Sequence, residues 1–397
     1  MRRFVSPFFG LILLALVLVV LQNFAGLSTD EAKFLLNIPY PHPPLLRWLM
    51  GLTFWMPGQA LFWRVVFATA LLQAAWIVMA LLPEKKRSER EILGWLWVLS
   101  ASVLILSGQI LMAPVAALQA LVFCWLLLRG ENLEAHVGWI ALLWLASLFT
   151  AYQALLFLPI VVSVFWRLRL SAWQRLLCIV GPVALLALYS LTNPLAIASM
   201  IAASGQNAHA GTLFDAVREV TGLWMLGGSV VMSVLGVIGM LAARRWPLIL
   251  SFLLTAVFIL VSYRPYYCIL FTPLLLAGVA SAPLLLKRSR LIIISTILSA
   301  LILVPLGYRM VVPPFAQQIV DRAIEAGVPK GATMMIAGSF GHEWQYVSPY
   351  LVRRFIPEKI SDARVLVCLA DCPEVREKKA WKRLAGVQVE VWVRPIR

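Results

Sequence analysis

Apolar runs of about 15 to 22 residues recur from the start of this chain to near residue 308, separated by short polar or basic stretches. Runs of that length suit helices crossing a hydrocarbon core about 30 Å thick. Of the 397 residues, 61% are apolar and 13% charged, with a mean hydropathy of +0.87. A water-soluble domain cannot hide that much apolar surface, so lipid must be the solvent for most of the chain. The pattern predicts an α-helical polytopic membrane protein with about eleven transmembrane helices. They fall near 7–27, 59–82, 92–108, 114–128, 137–149, 152–166, 176–191, 222–242, 247–261, 267–286 and 291–308.

The net charge of +16 would suit a nucleic-acid binder, but its distribution points elsewhere. Taken alternately, one set of short loops holds fifteen Lys and Arg between Arg2 and Arg290. The other set, with the adjoining membrane ends, holds five: Lys33, Arg47, Arg64, Arg218 and Arg264. This asymmetry is the positive-inside bias and makes the N-terminus cytoplasmic. Arg2 and Arg3 before an apolar run also resemble a signal peptide. No A-x-A-like site follows Leu27, so a retained first helix is expected.

The stretch 137–166 is too long for one untilted span and short for two. It reads as two short helices meeting at Thr150, Ala151, Tyr152 and Gln153, and short broken helices in a membrane usually line a cavity. Two external loops, 28–58 and 192–221, are long enough to suggest function. From residue 312 the composition shifts. ATMMIAG, ARVLVCLA and VQVEVWV read as strands; QQIVDRAIEAGV, HEWQYVSPYLVRR and CPEVREKKAWKRLAG read as helices. That alternation predicts a small α/β domain over 312–397, outside the cytoplasm, behind a membrane domain over 1–311. GSFG at 338–341 reads as an ordinary turn. Cys124, Cys178 and Cys268 lie in apolar spans as packing residues, whereas Cys368 and Cys372 lie in the tail, where a disulfide is chemically allowed.

Asp30 and Glu31 stand at the external mouth of the first helix. Carboxylates at a membrane boundary can take a proton from a hydroxyl or hold a metal. Ser28-Thr29-Asp30-Glu31 equally fits a capping box, and a capped short helix would fix the carboxylates in place. Tyr40-Pro41-His42-Pro43-Pro44 makes a rigid loop around His42, a residue suited to an anionic phosphate or to plain solvation.

DEAKF followed by PYPHPPLLRWLMGL resembles the first external loop of the GT-C membrane glycosyltransferases, in the branch of the protein mannosyltransferases and lipid A aminoarabinose transferases. Phe62-Trp63-Arg64-Val65-Val66 sits where that branch has an arginine. Leu148 to Pro159 is similar to its short-helix pair, and Ser262-Tyr263-Arg264-Pro265-Tyr266-Tyr267, followed by Thr272-Pro273, resembles its late R-x-x-Y element. The resemblance implies a polyprenyl-phosphate sugar as donor and inverting transfer at the external face. It makes Asp30 the general base. Glu31 then orients the acceptor, supports Asp30 or contributes to a divalent metal site. His42, Arg64, Arg264 and Tyr267 become groups for the leaving phosphate. On the residues alone, Arg64, Arg264 and Tyr267 read equally as interfacial anchors.

The match departs from the family at two places. Val115 occupies the place of a second acid, and Ala151 that of a lysine. Asp215, Glu219 and His209 of the second loop are candidate replacements, or an ordinary solvated loop and helix start. The alternatives to transfer are a transporter or flippase of lipid-linked sugar and an inactive relative that binds a glycolipid. Expected partners are membrane lipid, the lipid-linked donor and a glycolipid, glycan or protein acceptor, with no nucleic acid. Arg376, Lys378, Lys379, Lys382 and Arg383 form a basic tail segment suited to anionic headgroups or to solvent. The expected location is a bacterial inner membrane, with the endoplasmic reticulum the alternative.

Overall fold

Every apolar run expected to span the membrane carries helix, and the residues between runs set where each helix stops. A computed structural model of the chain describes residues 2–24, 31, 34–35, 42–130, 133–193, 197, 227–261, 265–311, 325–328, 332–337, 351–353, 365–368, 382–384 and 390–393. The helices are α1 (Arg2–Phe24), α2 (Leu45–Gly51), α3 (Gln59–Gln73), α4 (Ala75–Met79), α5 (Arg87–Val98), α6 (Ala101–Leu106) and α7 (Met112–Arg129). They continue as α8 (Val137–Thr150), α9 (Leu158–Trp166), α10 (Ala172–Thr192), α11 (Val230–Ala242), α12 (Trp246–Val261), α13 (Phe271–Ser281) and α14 (Ser289–Val311). Among the described residues, Gln59–Met79, Met112–Arg129, Leu133–Thr150 and Ala172–Thr192 are long and apolar enough to cross a membrane. Shorter apolar helices include Phe9–Gln22, Tyr152–Trp166, Val230–Ala242, Trp246–Leu260, Tyr266–Ser281 and Arg290–Pro305.

Several expected single helices are interrupted. The segment 92–108 divides at Leu99 and Ser100, where Ser100 takes an extended conformation with ψ 128°. The segment 152–166 begins as a 3-10 turn, Tyr152–Phe157, before α9. The segment 267–286 is α13 flanked by 3-10 turns at Pro265–Leu270 and Pro283–Arg288. The loop 28–58 contains α2, so it is not irregular throughout.

The chain divides into two compact units. The first comprises Met1–Val19, Pro41–Leu46 and Arg64–Pro305. Its centre is α13, buried from Phe271 to Ala280 and apolar almost all round, as a helix surrounded by others must be. α11 packs against α13 through glycine. A Cβ on Gly278 would overlap the Gly236 carbonyl, and one on Gly239 would overlap the Gly278 carbonyl. Helices without a hydrophobic drive toward each other gain instead from such close backbone approach. Trp97 of α5 is fully buried and donates its indole N–H to the Leu71 carbonyl at 2.7 Å. Basic loop residues hold helix ends: Arg167 donates to the Leu127 carbonyl at 2.6 Å, near the end of α7, where its charge also opposes the helix dipole.

The second unit comprises Val20–Tyr40, Arg47–Trp63 and Leu306–Arg397. It holds a five-stranded sheet of β1 (Ala332–Ala337), β2 (Leu351–Arg353), β3 (Val365–Cys368), β4 (Lys382–Leu384) and β5 (Glu390–Val393), in the order β2-β1-β3-β5-β4. β1 runs parallel to β2 and β3, while β5 is antiparallel to both β3 and β4. β1, β3 and β5 fall in the three stretches read as strands. Two helix expectations are corrected at their ends: Leu351–Arg353 and Lys382–Leu384 are strands, the latter containing two of the five tail cations. Val352 and Leu384 sit in runs whose apolar positions fit either periodicity, and pairing with β1 and β5 decides between them. Cys372 and the 338–341 turn lie outside the described residues.

Candidate functional site: a broken helix in the apolar bundle

α8 stops at Thr150 for local reasons. The Thr150 hydroxyl donates back to the Ala146 carbonyl at 2.7 Å, a bond that weakens a helix. Ala151 is fully extended at φ −157°, ψ 138°, and Pro159, which has no N–H, opens α9 just beyond. Between them, Tyr152–Phe157 forms a tight 3-10 turn. The break therefore places polar side chains inside a largely apolar bundle.

Each of these side chains finds a defined neighbour. Gln119 of α7 donates from Nε2 to Thr150 Oγ1 at 3.1 Å. The Tyr152 hydroxyl lies 3.2 Å from Ser190 Oγ of α10, and its ring is 6.1 Å from that of His42, tilted by 47°. Gln153 is buried and donates from Nε2 to the Tyr267 hydroxyl at 2.9 Å. Tyr267 sits in the 3-10 turn before α13, its ring packed edge-on against Tyr266 at 4.7 Å and Phe258 at 5.0 Å. The Tyr267 oxygen accepts from that amide, and the ring packing fixes where the oxygen stands.

Two residues expected at a phosphate, His42 and Tyr267, thus meet consecutive residues of one turn, Tyr152 and Gln153. Arg64 belongs to the same unit and is only 1% exposed, so its side chain is enclosed by protein. Glu31 is helical and fully buried. Tyr267 is also buried, at 6% exposure. Asp30, Arg264, His209, Asp215 and Glu219 lie outside the described residues. Val115 is in the first turn of α7, which carries no acid. Among the described residues no three His, Cys, Asp or Glu side chains gather as a metal site.

The amide of Gln153 as partner of Tyr267 was not foreseen. The available signal was a glutamine two residues past the break, in a run otherwise apolar from Ala154 to Phe165 apart from Ser163. A second polar group was also missed. At the α5–α6 break, Ser100 and Ser102 lie 3.1 Å apart, Ser102 lies 3.0 Å from Thr272, and Thr272 donates to the Gly227 carbonyl at 2.8 Å. These hydroxyls occupy each other and a backbone carbonyl, which suits a structural joint.

The helices, their apolar surfaces and the buried polar break define an α-helical membrane protein. No protein-family model, curated protein or solved structure matches the chain.

Proposed function

We propose that this protein is an inverting glycosyltransferase of GT-C type that uses a polyprenyl-phosphate sugar at the external membrane face. The observation that carries the reading is the buried pair Gln153–Tyr267 beside Tyr152–His42 at a helix break. Polar side chains inside a membrane bundle are costly to keep, and a break that brings an imidazole, two phenols and an amide together suits a ligand with a charged group. In this reading about eleven helices cross the membrane, with the N-terminus cytoplasmic and residues 312–397 forming a small α/β domain outside. The membrane is a bacterial inner membrane.

In the proposed reaction, Asp30 takes the proton of an acceptor hydroxyl as its oxygen attacks the anomeric carbon from the face opposite the phosphate. The new C–O bond inverts that centre, the sugar–phosphate C–O bond breaks, and polyprenyl phosphate leaves with the electron pair. Tyr267 and His42 donate hydrogen bonds to that phosphate, and Arg64 and Arg264 balance its charge in a low-dielectric site. Glu31 orients the acceptor or supports Asp30. No step requires a metal, although the two carboxylates would suit a divalent ion. The acceptor is a surface glycolipid, glycan or secreted protein.

The test is mass spectrometry of surface glycolipids and glycans from wild-type, deletion and Asp30→Asn cells at matched membrane expression. Loss of a sugar-sized mass from both mutants supports transfer and names the sugar. Loss from the deletion alone overturns the role of Asp30 and favours transport or scaffolding.

A further inference from the structure

The segment that leads into α3 has an outward face of a different kind from the broken helix. Within eight residues, Trp48, Leu49, Leu52, Phe54 and Trp55 all project from the chain, and Leu52, Phe54 and Trp55 are 72%, 75% and 71% exposed. Much of the backbone beneath them is engaged in turn hydrogen bonds. Leu52 N–H donates to Trp48 O, Thr53 N–H to Met50 O, Phe54 N–H to Gly51 O, Met56 N–H to Thr53 O and Gln59 N–H to Met56 O. The polar side chains turn inward as well. Thr53 Oγ1 donates to the Met50 carbonyl at 2.9 Å and accepts from Trp63 Nε1 at 2.7 Å; Gln59 Nε2 donates to Met50 O at 2.8 Å. Even the exposed Trp55 indole N–H donates to Leu52 O at 3.0 Å.

A seven-residue helix and two turns cannot cross a bilayer. A water-facing loop forms turn hydrogen bonds as well, but it has no reason to expose two indoles and a phenyl ring together. Insertion into lipid rewards that exposure, and the turn hydrogen bonds reduce its cost, because an unsatisfied N–H or C=O there costs several kcal/mol. The segment is also continuous with Gln59–Met79, a helix long and apolar enough to cross a membrane. Tryptophan prefers the headgroup level, and Arg47 just ahead of the ridge suits lipid phosphate.

We propose that residues 48–55 form a wedge that rests in the headgroup–acyl boundary of the bilayer and sets the depth at which α3 begins. The occupant of this apolar face is lipid, whatever reaction the protein carries out. The wedge is tested on the full chain, its native cysteines replaced by serine or alanine, with Phe54→Cys labelled by a nitrobenzoxadiazole dye in phosphatidylcholine–phosphatidylglycerol nanodiscs. Trp55→Cys gives a second position on the same ridge, and Lys85→Cys, in an exposed basic turn, gives the aqueous reference. The expected result is blue-shifted emission at 54 and 55, with quenching by lipid carrying a shallow nitroxide about twofold stronger than by one carrying a deep nitroxide. Emission like that of Lys85→Cys, quenched by iodide and by neither lipid, overturns the proposal. Protection from both iodide and nitroxide lipids also overturns it, because protein then covers the face.

Discussion

The first unit contains two contrasting ways for helices to meet. Along the α11–α13 seam, Gly236, Gly239 and Gly278 strip away side chains until backbone touches backbone. At the end of α8, by contrast, Thr150, Tyr152 and Gln153 keep polar groups inside the bundle and connect them to Gln119, Ser190 and Tyr267. The seam is specified by shape alone and has no chemistry to offer. The break gives up helical hydrogen bonds and apolar packing, and it keeps polar groups in the interior. A bundle that sought only stability would extend the first solution to both places.

Substitutions at the seam and at the break should separate these two kinds of contact. The largest expected effect is at the seam. Gly278→Leu forces a side chain into the Gly236 carbonyl, where backbone cannot yield as a flexible side chain would. Overpacking of this kind costs about 3 kcal/mol or more and should remove folded protein altogether. Fluorescence-detected size-exclusion after heating in detergent reads it directly. A Gly278→Leu protein that stays monodisperse with unchanged melting would mean that the helices are free to separate there.

The break should respond in the opposite sense, with activity lost and fold kept. Tyr267→Phe removes one hydroxyl and leaves the ring packing against Phe258 and Tyr266 intact. Stability should fall by about 1 kcal/mol, the usual net worth of a hydrogen bond. If the hydroxyl donates to the departing phosphate, transfer in membranes should fall about a hundredfold, near the low end for an oxyanion donor. Equal losses in folding and activity would make Tyr267 a packing residue.

A smaller effect belongs to Gln153→Leu, which keeps the volume and removes the amide. On the proposed function Gln153 would be a positioning residue, and its loss should lower transfer about tenfold with little change in the apparent affinity for donor lipid. The decisive comparison is the double mutant. In the Tyr267→Phe background, Gln153→Leu should add almost nothing, because the hydroxyl through which it works is already gone. Independent, multiplying losses would show that the amide serves another purpose.

The two regions also differ in how far they could be read in advance. The breadth of the apolar runs announced the helices, and Thr150 to Gln153 stood out because 137–166 reads as two short helices; extended back to Leu133, the first of them is long enough to cross a membrane. What the sequence did not disclose is partner choice across the bundle: Gln153 lies 114 residues from Tyr267, a pairing that no local period encodes. The glycine seam was hidden for the same reason, since Gly236, Gly239 and Gly278 look ordinary until two helices bring them together. In the tail, the misread helices at 351–353 and 382–384 show the reverse problem. Short segments such as Leu351-Val352-Arg353 carry too few residues to separate period two from period 3.6, and the neighbouring strand decides. Arg64 was legible as a cation beside the membrane but not as a buried one, because depth depends on neighbours that are distant in sequence.

The smallest expected effect tests whether the break is tuned or merely tolerated. Ser190, near the end of α10, lies 3.2 Å from the Tyr152 hydroxyl of the 3-10 turn, and both residues are half-buried. Ser190→Ala leaves a tyrosine that can still turn its hydroxyl toward water, so the stability loss should be about 0.5 kcal/mol, at the bottom of the range for a hydrogen bond. Tyr152 also contacts the His42 ring, and that contact does not depend on Ser190. Transfer should therefore drop by no more than about threefold, measured beside Tyr267→Phe in the same membranes. A loss as deep as that of Tyr267→Phe would move the centre of the site toward Tyr152 and His42. The polar break would then act as one connected network, in which a change at α10 is felt by every group that faces the donor.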